Sequence, residues 1–186
     1  MVNKIIDDYE CPCDILLLKF IDTHLDIYQN IEPNTITTVG IIFAIVAAYN
    51  ISIKNYKIAA LIFLCSYYFD CVDGKVARKY NKVTVFGDYY DHIGDVFKIL
   101  IILYALYKSN TKNFNKISYL LIILLFFMMI HFACQEKIYN QDTSPSLQIF
   151  RDIIPIENPT NIIIYTRFFG NGTLILVLSI IIFLWK

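Results

Sequence analysis

The chain has 186 residues, 57% of them hydrophobic and only 17% charged, with 16 basic residues balancing 16 acidic ones. That length fits one domain, but so apolar a composition excludes an ordinary soluble one. A formal net charge of zero offers no basic field to draw in nucleic acid, so no such partner is expected.

The charged residues fall between long apolar runs, the pattern of an integral, multi-pass membrane protein. The first residues, with Asp7, Asp8 and Glu10 and no basic stretch ahead of an apolar core, do not resemble a cleavable signal peptide. The mature chain is therefore expected to begin where the sequence does. From Asp14 to Asn30 the apolar residues Ile15, Leu18, Phe20, Ile21, Leu25 and Tyr28 recur at roughly helical spacing, with Lys19, Asp22, His24 and Asp26 interleaved. This predicts an amphipathic helix. It either lies on the membrane surface, where its acidity is unusual, or packs against the bundle, and a membrane-edge placement is favoured. Residues 1–32 thus read as an N-terminal segment ahead of a transmembrane catalytic domain over 33–186.

Pro33 opens the first span, which is uncharged from Asn34 to Ile53. A second apolar run, Ile58 to Phe69, ends at Asp70. Residues 74–86 read as a loop carrying Lys75, Arg78, Lys79 and Lys82, after which a third run from Gly87 to Tyr107 begins with Asp91 and Asp95. Ile117 to Cys134 form a fourth span and Ile162 to Trp185 a fifth, with Trp185 beside Lys186 as an interfacial anchor. Between them Gln135 to Asn161 is polar and interrupted by Pro145, Pro155 and Pro159. Its segment Leu147 to Ile156 is too short and too charged to span, and suits an amphipathic or re-entrant element. The expected fold is all-α: a polytopic transmembrane helix bundle with five clear spans, or six if that segment conceals one.

The five cysteines, Cys11, Cys13, Cys65, Cys71 and Cys134, are odd in number and lack the two-pair spacing of a structural zinc site. Reduced thiols packed as small apolar side chains are expected. Lipidation of Cys11 or Cys13 has no specific support.

The chemistry concentrates in Asp70-Cys71-Val72-Asp73-Gly74-Lys75-Val76-Ala77-Arg78, followed by Gly87, Asp91 and Asp95. Asp70 and Asp73 stand three apart and Asp91 and Asp95 four apart, so each pair shares one helix face. Carboxylates in an apolar setting are costly unless paired or coordinated, and four together repel until a cation or protons intervene. Two consecutive helices joined by a short basic loop return both acidic faces to one membrane interface. Asp70, Asp73, Asp91 and Asp95 therefore form a candidate divalent-cation site. Gly74 removes a side chain where a ligand could approach the backbone, and Arg78 offers a guanidinium fork suited to phosphate. Acid, metal and arginine together point to phosphate chemistry.

Asp70, Asp73, Gly74, Ala77, Arg78, Gly87, Asp91 and Asp95 occupy every fixed position of the pattern D-x2-D-G-x2-A-R-x8-G-x3-D-x3-D, and the chain thereby resembles the CDP-alcohol phosphatidyltransferase family. The resemblance implies that a CDP-linked alcohol gives its phosphoryl-alcohol group to an acceptor hydroxyl, forming a phosphodiester of phospholipid synthesis and releasing CMP. It implies Mg2+ or Mn2+, one ion or two with two favoured, on the four aspartates, with Asp95 also the base that deprotonates the attacking hydroxyl. It places Gly74, Arg78 and Thr84 on the nucleotide or its phosphates. The opening Pro33-Asn34-Thr35-Ile36-Thr37-Thr38-Val39-Gly40 resembles a P-N-x-I-T-x-x-G start found in this family, by which Asn34 and Thr37 face the nucleotide; a helix start using both for local hydrogen bonds fits equally well. The resemblance also implies six spans, membrane lipid as substrate or product, and a homodimer.

The donor alcohol stays open. Pro33-Asn34, Gly40 and Asp91-His92 with Asp95 lean toward the aminoalcohol branch, and the short length leans toward the CDP-diacylglycerol branch. Two other classes compete: an intramembrane prenyltransferase, which needs a second Asp-rich motif that is not found, and a non-catalytic metal-ion carrier, which has no use for Gly74, Ala77 and Arg78. A slight excess of Lys and Arg on the motif-loop face puts that face in the cytosol.

Outside the motif, Arg167 interrupts the last apolar run near the carboxylate face, where it either contacts a substrate phosphate or an acid, or snorkels. Lys98 follows Asp95 by three residues and is expected to pair with a motif carboxylate. His131 reads as a satisfied structural histidine. The sequons at Asn50 and Asn171 fall within or against the membrane, where glycosylation is not expected.

Overall fold

The computed structural model describes residues 9–139 and 145–186. The acidic start at Asp7 and Asp8 and part of the polar stretch after Gln135 lie outside the described residues. Within them the chain is helical, with no strand. The helices are α1 (Pro12–Asp22), α2 (Pro33–Ser52), α3 (Tyr56–Lys79), α4 (Val85–Ser109), α5 (Thr111–Tyr139), α6 (Gln148–Ile153), α7 (Pro159–Thr166) and α8 (Asn171–Phe183).

Five long helical stretches stand where the apolar runs predict them. Three of these, Pro33–Ser52, Thr111–Tyr139 and Pro159–Phe183, are both long enough and apolar enough to cross a bilayer. The chain is a membrane protein. α3 and α4 have the length, at 24 and 25 residues, but carry the charged motif. The amphipathic helix is shorter than the periodicity suggests: α1 ends at Asp22, and a 3-10 turn over Leu25–Tyr28 carries the chain on to Pro33.

Two expectations need correction. Residues 74–79 are not loop but the last turns of α3. Arg78 and Lys79 there complement the negative end of the helix dipole. Asn81, at φ 55°, then ends the helix in a left-handed turn in which the Lys82 amide donates to the Ala77 carbonyl at 2.8 Å. The last span is not continuous either. A 3-10 turn at Arg167–Phe169 and extended backbone at Gly170 separate α7 from α8. α8 alone has 13 residues, about 20 Å at 1.5 Å per residue, and reaches spanning length only together with α7. Within the segment Leu147 to Ile156, expected to be too short to span, the chain forms α6, a helix of six residues.

α2 packs against both α3 and α4, α8 against α3, and α5 against α6 and α7. Small buried residues of α2 and α3, Ala47 and Ala48 with Ala59 and Ala60, belong to one core cluster and let two backbones come close where lipid supplies no hydrophobic drive. At Gly40 the approach is closest: a Cβ there would stand 3.3 Å from the Ser66 carbonyl, and the Ser66 hydroxyl donates to the Gly40 carbonyl at 2.7 Å. Phe63, Ile102, Leu106, Leu178 and Ile182 fill the centre. At one end Trp185 donates to Ser109 at 2.7 Å, and Asn110 and Asn113 hold the Lys186 carbonyl. The end of α3, the start of α4 and the start of α2 gather at the other.

Candidate active site

α1 and the turn after it are clamped to the end of α3. Lys75 meets Asp22 at 2.6 Å, Lys79 meets Asp26 at 2.7 Å, and Lys82 meets Glu32 at 3.4 Å. The lysines of the motif segment are thus largely neutralised by acids of the preceding segment. Lys79, and after it the Tyr80 hydroxyl, hold the exposed Asp26 below the usual carboxylate range. The predicted helix thus packs against the bundle, the alternative to the favoured membrane-edge placement. Deeper in this contact the Tyr67 hydroxyl donates to Asp14, and burial pushes that carboxyl up to about 6 against the hydrogen bond, with Glu10 and Asp70 adding repulsion.

The α3–α4 connection orients the acidic faces. Thr84 caps α4, its hydroxyl accepting from the Gly87 amide at 2.9 Å. One oxygen from each of Asp70, Asp91 and Asp95 lies within 4.8 Å of the other two. Lys98 is 4% exposed; its ammonium meets Asp95 Oδ1 at 2.6 Å and also contacts Asp70 Oδ1, the ion pair its spacing predicts. Asp73 stands apart from the trio. It is 2% exposed, and its Oδ2 accepts from the Thr37 hydroxyl at 2.6 Å.

Thr37, for which a nucleotide contact and a local hydrogen bond fit the sequence equally well, donates to Asp73 Oδ2 and also lies 3.2 Å from the Pro33 carbonyl, one turn back. Thr84 serves as a helix cap. The Asn34 side-chain oxygen lies 3.2 Å from where a Cβ on Gly87 would stand, so α2 begins directly over the start of α4. Gly74 leaves room for Arg78 to fold back over its own helix: a Cβ there would lie 3.1 Å from a guanidinium nitrogen. Arg167 sits on the broken last span with its guanidinium 5.9 Å from the Phe168 ring centre.

Sequence reasoning missed Glu10. Its carboxylate accepts from Tyr139 at 2.8 Å and from Gln135 at 2.9 Å, joining the N-terminal segment to the end of α5. Burial pushes Glu10 up, opposed by those two hydrogen bonds and by the positive fields of Arg78 and Arg167. Both arginines therefore act on one acidic group, at the motif end of the bundle. Also missed was the anchoring of residues after the fourth span on α4: the Ser146 amide donates to Asp88 Oδ2 at 2.9 Å, and its hydroxyl lies 2.9 Å from His92 Nδ1. No local pattern announces such long-range pairs. His131 corrects another expectation. It is 1% exposed, and its Nδ1 has no hydrogen-bond partner among the described residues.

The carboxylates suit a divalent cation. Three oxygens already converge, Asp91 Oδ1 is buried without a partner, and a lysine ammonium already serves as counter-ion to Asp70 and Asp95.

The profile of the CDP-alcohol phosphatidyltransferase family matches residues 30–185. The chain is 25% identical over 113 residues to an archaetidylinositol phosphate synthase of Pyrococcus horikoshii, covering 61% of this chain and 59% of that one. It is 36% identical over 100 residues to a CDP-diacylglycerol--glycerol-3-phosphate 3-phosphatidyltransferase of Rickettsia felis, covering 52% and 54%. A Rickettsia typhi protein of the same description is 37% identical over 73 residues, covering 39% and 40%. The chain thus spans less than two thirds of the length of each of these relatives. No solved structure matches it. With a profile match that takes in the whole motif and nearly all of the helical bundle, the chain belongs to the CDP-alcohol phosphatidyltransferase family.

Proposed function

We propose that this protein moves a phosphoryl-alcohol group from a CDP-alcohol to an acceptor hydroxyl, releasing CMP, as a step of phospholipid synthesis in the membrane. The observation that carries the reading is the meeting of Asp70, Asp91 and Asp95 at one end of the bundle in a chain of this family. Residues 33–186 are the catalytic unit, multi-pass with the motif end toward the cytosol, and the family resemblance implies a homodimer.

Asp70, Asp73, Asp91 and Asp95 would hold Mg2+ or Mn2+, hard cations matched to carboxylate oxygen. The bound cation would neutralise the pyrophosphate and the departing CMP. Arg78 and Arg167 lie at the same end and supply positive charge to substrate phosphates. Gly74 keeps the helix surface low beside Arg78, and Asn34 lies over the start of α4, where the nucleotide is placed. Thr84 contributes by setting the direction of α4 and Thr37 by orienting Asp73. Asp95 takes the proton of the acceptor hydroxyl. Lys98 engages its Oδ1, which leaves Oδ2 for that proton. The acceptor oxygen then bonds to phosphorus as the bond to CMP breaks.

The two relatives that act on different alcohols leave the substrate pair to experiment. Membranes containing the purified chain are given radiolabelled CDP-diacylglycerol or CDP-ethanolamine with candidate acceptors. A labelled phospholipid with equimolar CMP is expected. An isoprenylated product would establish the prenyltransferase reading, and cation flux without product the carrier reading.

A further inference from the structure

We propose that Lys98 is a built-in cation of the aspartate site, standing where a second metal ion would stand, so that the site takes one divalent cation per chain in place of the pair that the family resemblance favours. The proposal rests on the metal reading above.

Three observations carry it. The first is position. The Lys98 ammonium lies between Oδ1 of Asp70 and Oδ1 of Asp95, and so takes one oxygen from each half of the motif. A second metal held between these two carboxylates would compete with the ammonium for them.

The second is the lack of another place for the ammonium. Lys98 is 4% exposed and is rooted almost one turn beyond Asp95, farther from the start of α4. The small cavity around it is lined by Phe63, Ser66, Tyr67, Ile99, Asn171 and Ile175, besides the two aspartates. The Ser66 hydroxyl donates to Gly40 and the Tyr67 hydroxyl to Asp14. An ammonium expelled from the carboxylates would find in that cavity only the neutral oxygens of Ser66, Tyr67 and Asn171 among apolar side chains, and no other acid, and a buried charge without a counter-ion is costly. Exchange for an incoming metal is therefore unfavourable.

The third is charge. Four aspartates and Lys98 sum to −4 + 1 = −3. One divalent cation leaves −1, whereas two would leave +1 and crowd an ammonium against two dications. Asp91 Oδ1 is buried without a partner among the described residues, and Lys98 is not bonded to Asp91 or to Asp73, whose Oδ2 accepts from Thr37, so these two carboxylates keep oxygens for one cation.

The test counts ions by a readout other than turnover. The full chain, purified in detergent, is titrated with Mn2+ while free Mn2+ is followed by electron paramagnetic resonance. One ion per chain is expected for the wild type and for Lys98→Arg, and two for Lys98→Met. If Lys98→Met elutes aggregated, Lys98→Gln, which keeps a polar end, carries the same count. Two ions on the wild type would overturn the proposal and leave the metal reading standing. One ion on both the wild type and the folded uncharged variant would overturn it as well. No ion on either would overturn the metal reading and the proposal with it.

Discussion

Thr37→Val separates orientation of the site from integrity of the fold. Thr37 and Asp73 are both 2% exposed, and the threonine hydroxyl donates to Asp73 Oδ2 at 2.6 Å across the α2–α3 contact. Valine keeps the branched shape and removes the donor, so the carboxylate loses the bond that fixes its direction. A hydrogen bond to a charged group is worth about 1.5–3 kcal/mol, roughly a 10- to 150-fold change in an equilibrium. Partners that orient metal ligands typically contribute about 10–100-fold to metal affinity. Hydrogen bonds between membrane helices add only about 0.6 kcal/mol on average to stability. The loss therefore falls on ion binding. Measured by Mn2+ titration and thermal unfolding in the same detergent, Thr37→Val should bind Mn2+ about 10–100-fold more weakly with only a small change in midpoint. Thr37→Ser, which restores the hydroxyl, should recover most of the affinity. An unchanged affinity in Thr37→Val would show that Asp73 is not a ligand, or that its direction is fixed by other contacts.

Asp95→Asn should still bind the CDP-alcohol but release CMP about 10²–10⁴-fold more slowly, the usual contribution of a general base; near-normal CMP release would remove Asp95 from that role. Asp14 titrates at about 6 in the folded protein against 3.8 ordinarily, so its protonated form is the one the fold prefers. Its stabilising contribution is full below 3.8 and disappears as pH rises through about 6. Unfolding midpoints of the wild type should accordingly fall between pH 4 and 7 more steeply than those of Asp14→Asn, and parallel curves would refute the burial argument. Gly40→Ala sets a methyl 3.3 Å from the Ser66 backbone carbonyl, which cannot turn aside, whereas Gly94→Ala meets only the flexible tip of Ile41 at 3.1 Å. The first should cost about 1–3 kcal/mol of stability and the second less, and the reverse order in thermal unfolding would contradict the account of the α2–α3 seam.

The all-helical architecture was legible because lipid demands long uninterrupted apolar runs, and these stand out in Asn34–Ile53 and Ile117–Cys134 without any partner being known. The motif was equally legible, since Asp70 with Asp73, and Asp91 with Asp95, share a helix face by local geometry alone. The bounds of α3 were not. Gly74 and the basic residues after it read as loop, yet intrahelical hydrogen bonds and the cap at Asn81 extend the helix through them. The division of the last span was hidden as well: Arg167 and Gly170 interrupt the apolar run in the sequence, but a run of that length reads as one span, and only the folded chain shows the helix broken there.

What lies between distant residues was decided by packing. That α2 wedges against both motif helices, that the Thr37 hydroxyl meets Asp73, and that Glu10 brings the fields of Arg78 and Arg167 together follow from contacts between residues 36 to more than 120 positions apart. Periodicity reports the face a residue occupies on its own helix. Which helix lies opposite that face depends on the matching of small and large side chains along every seam at once, and only the assembled bundle expresses it.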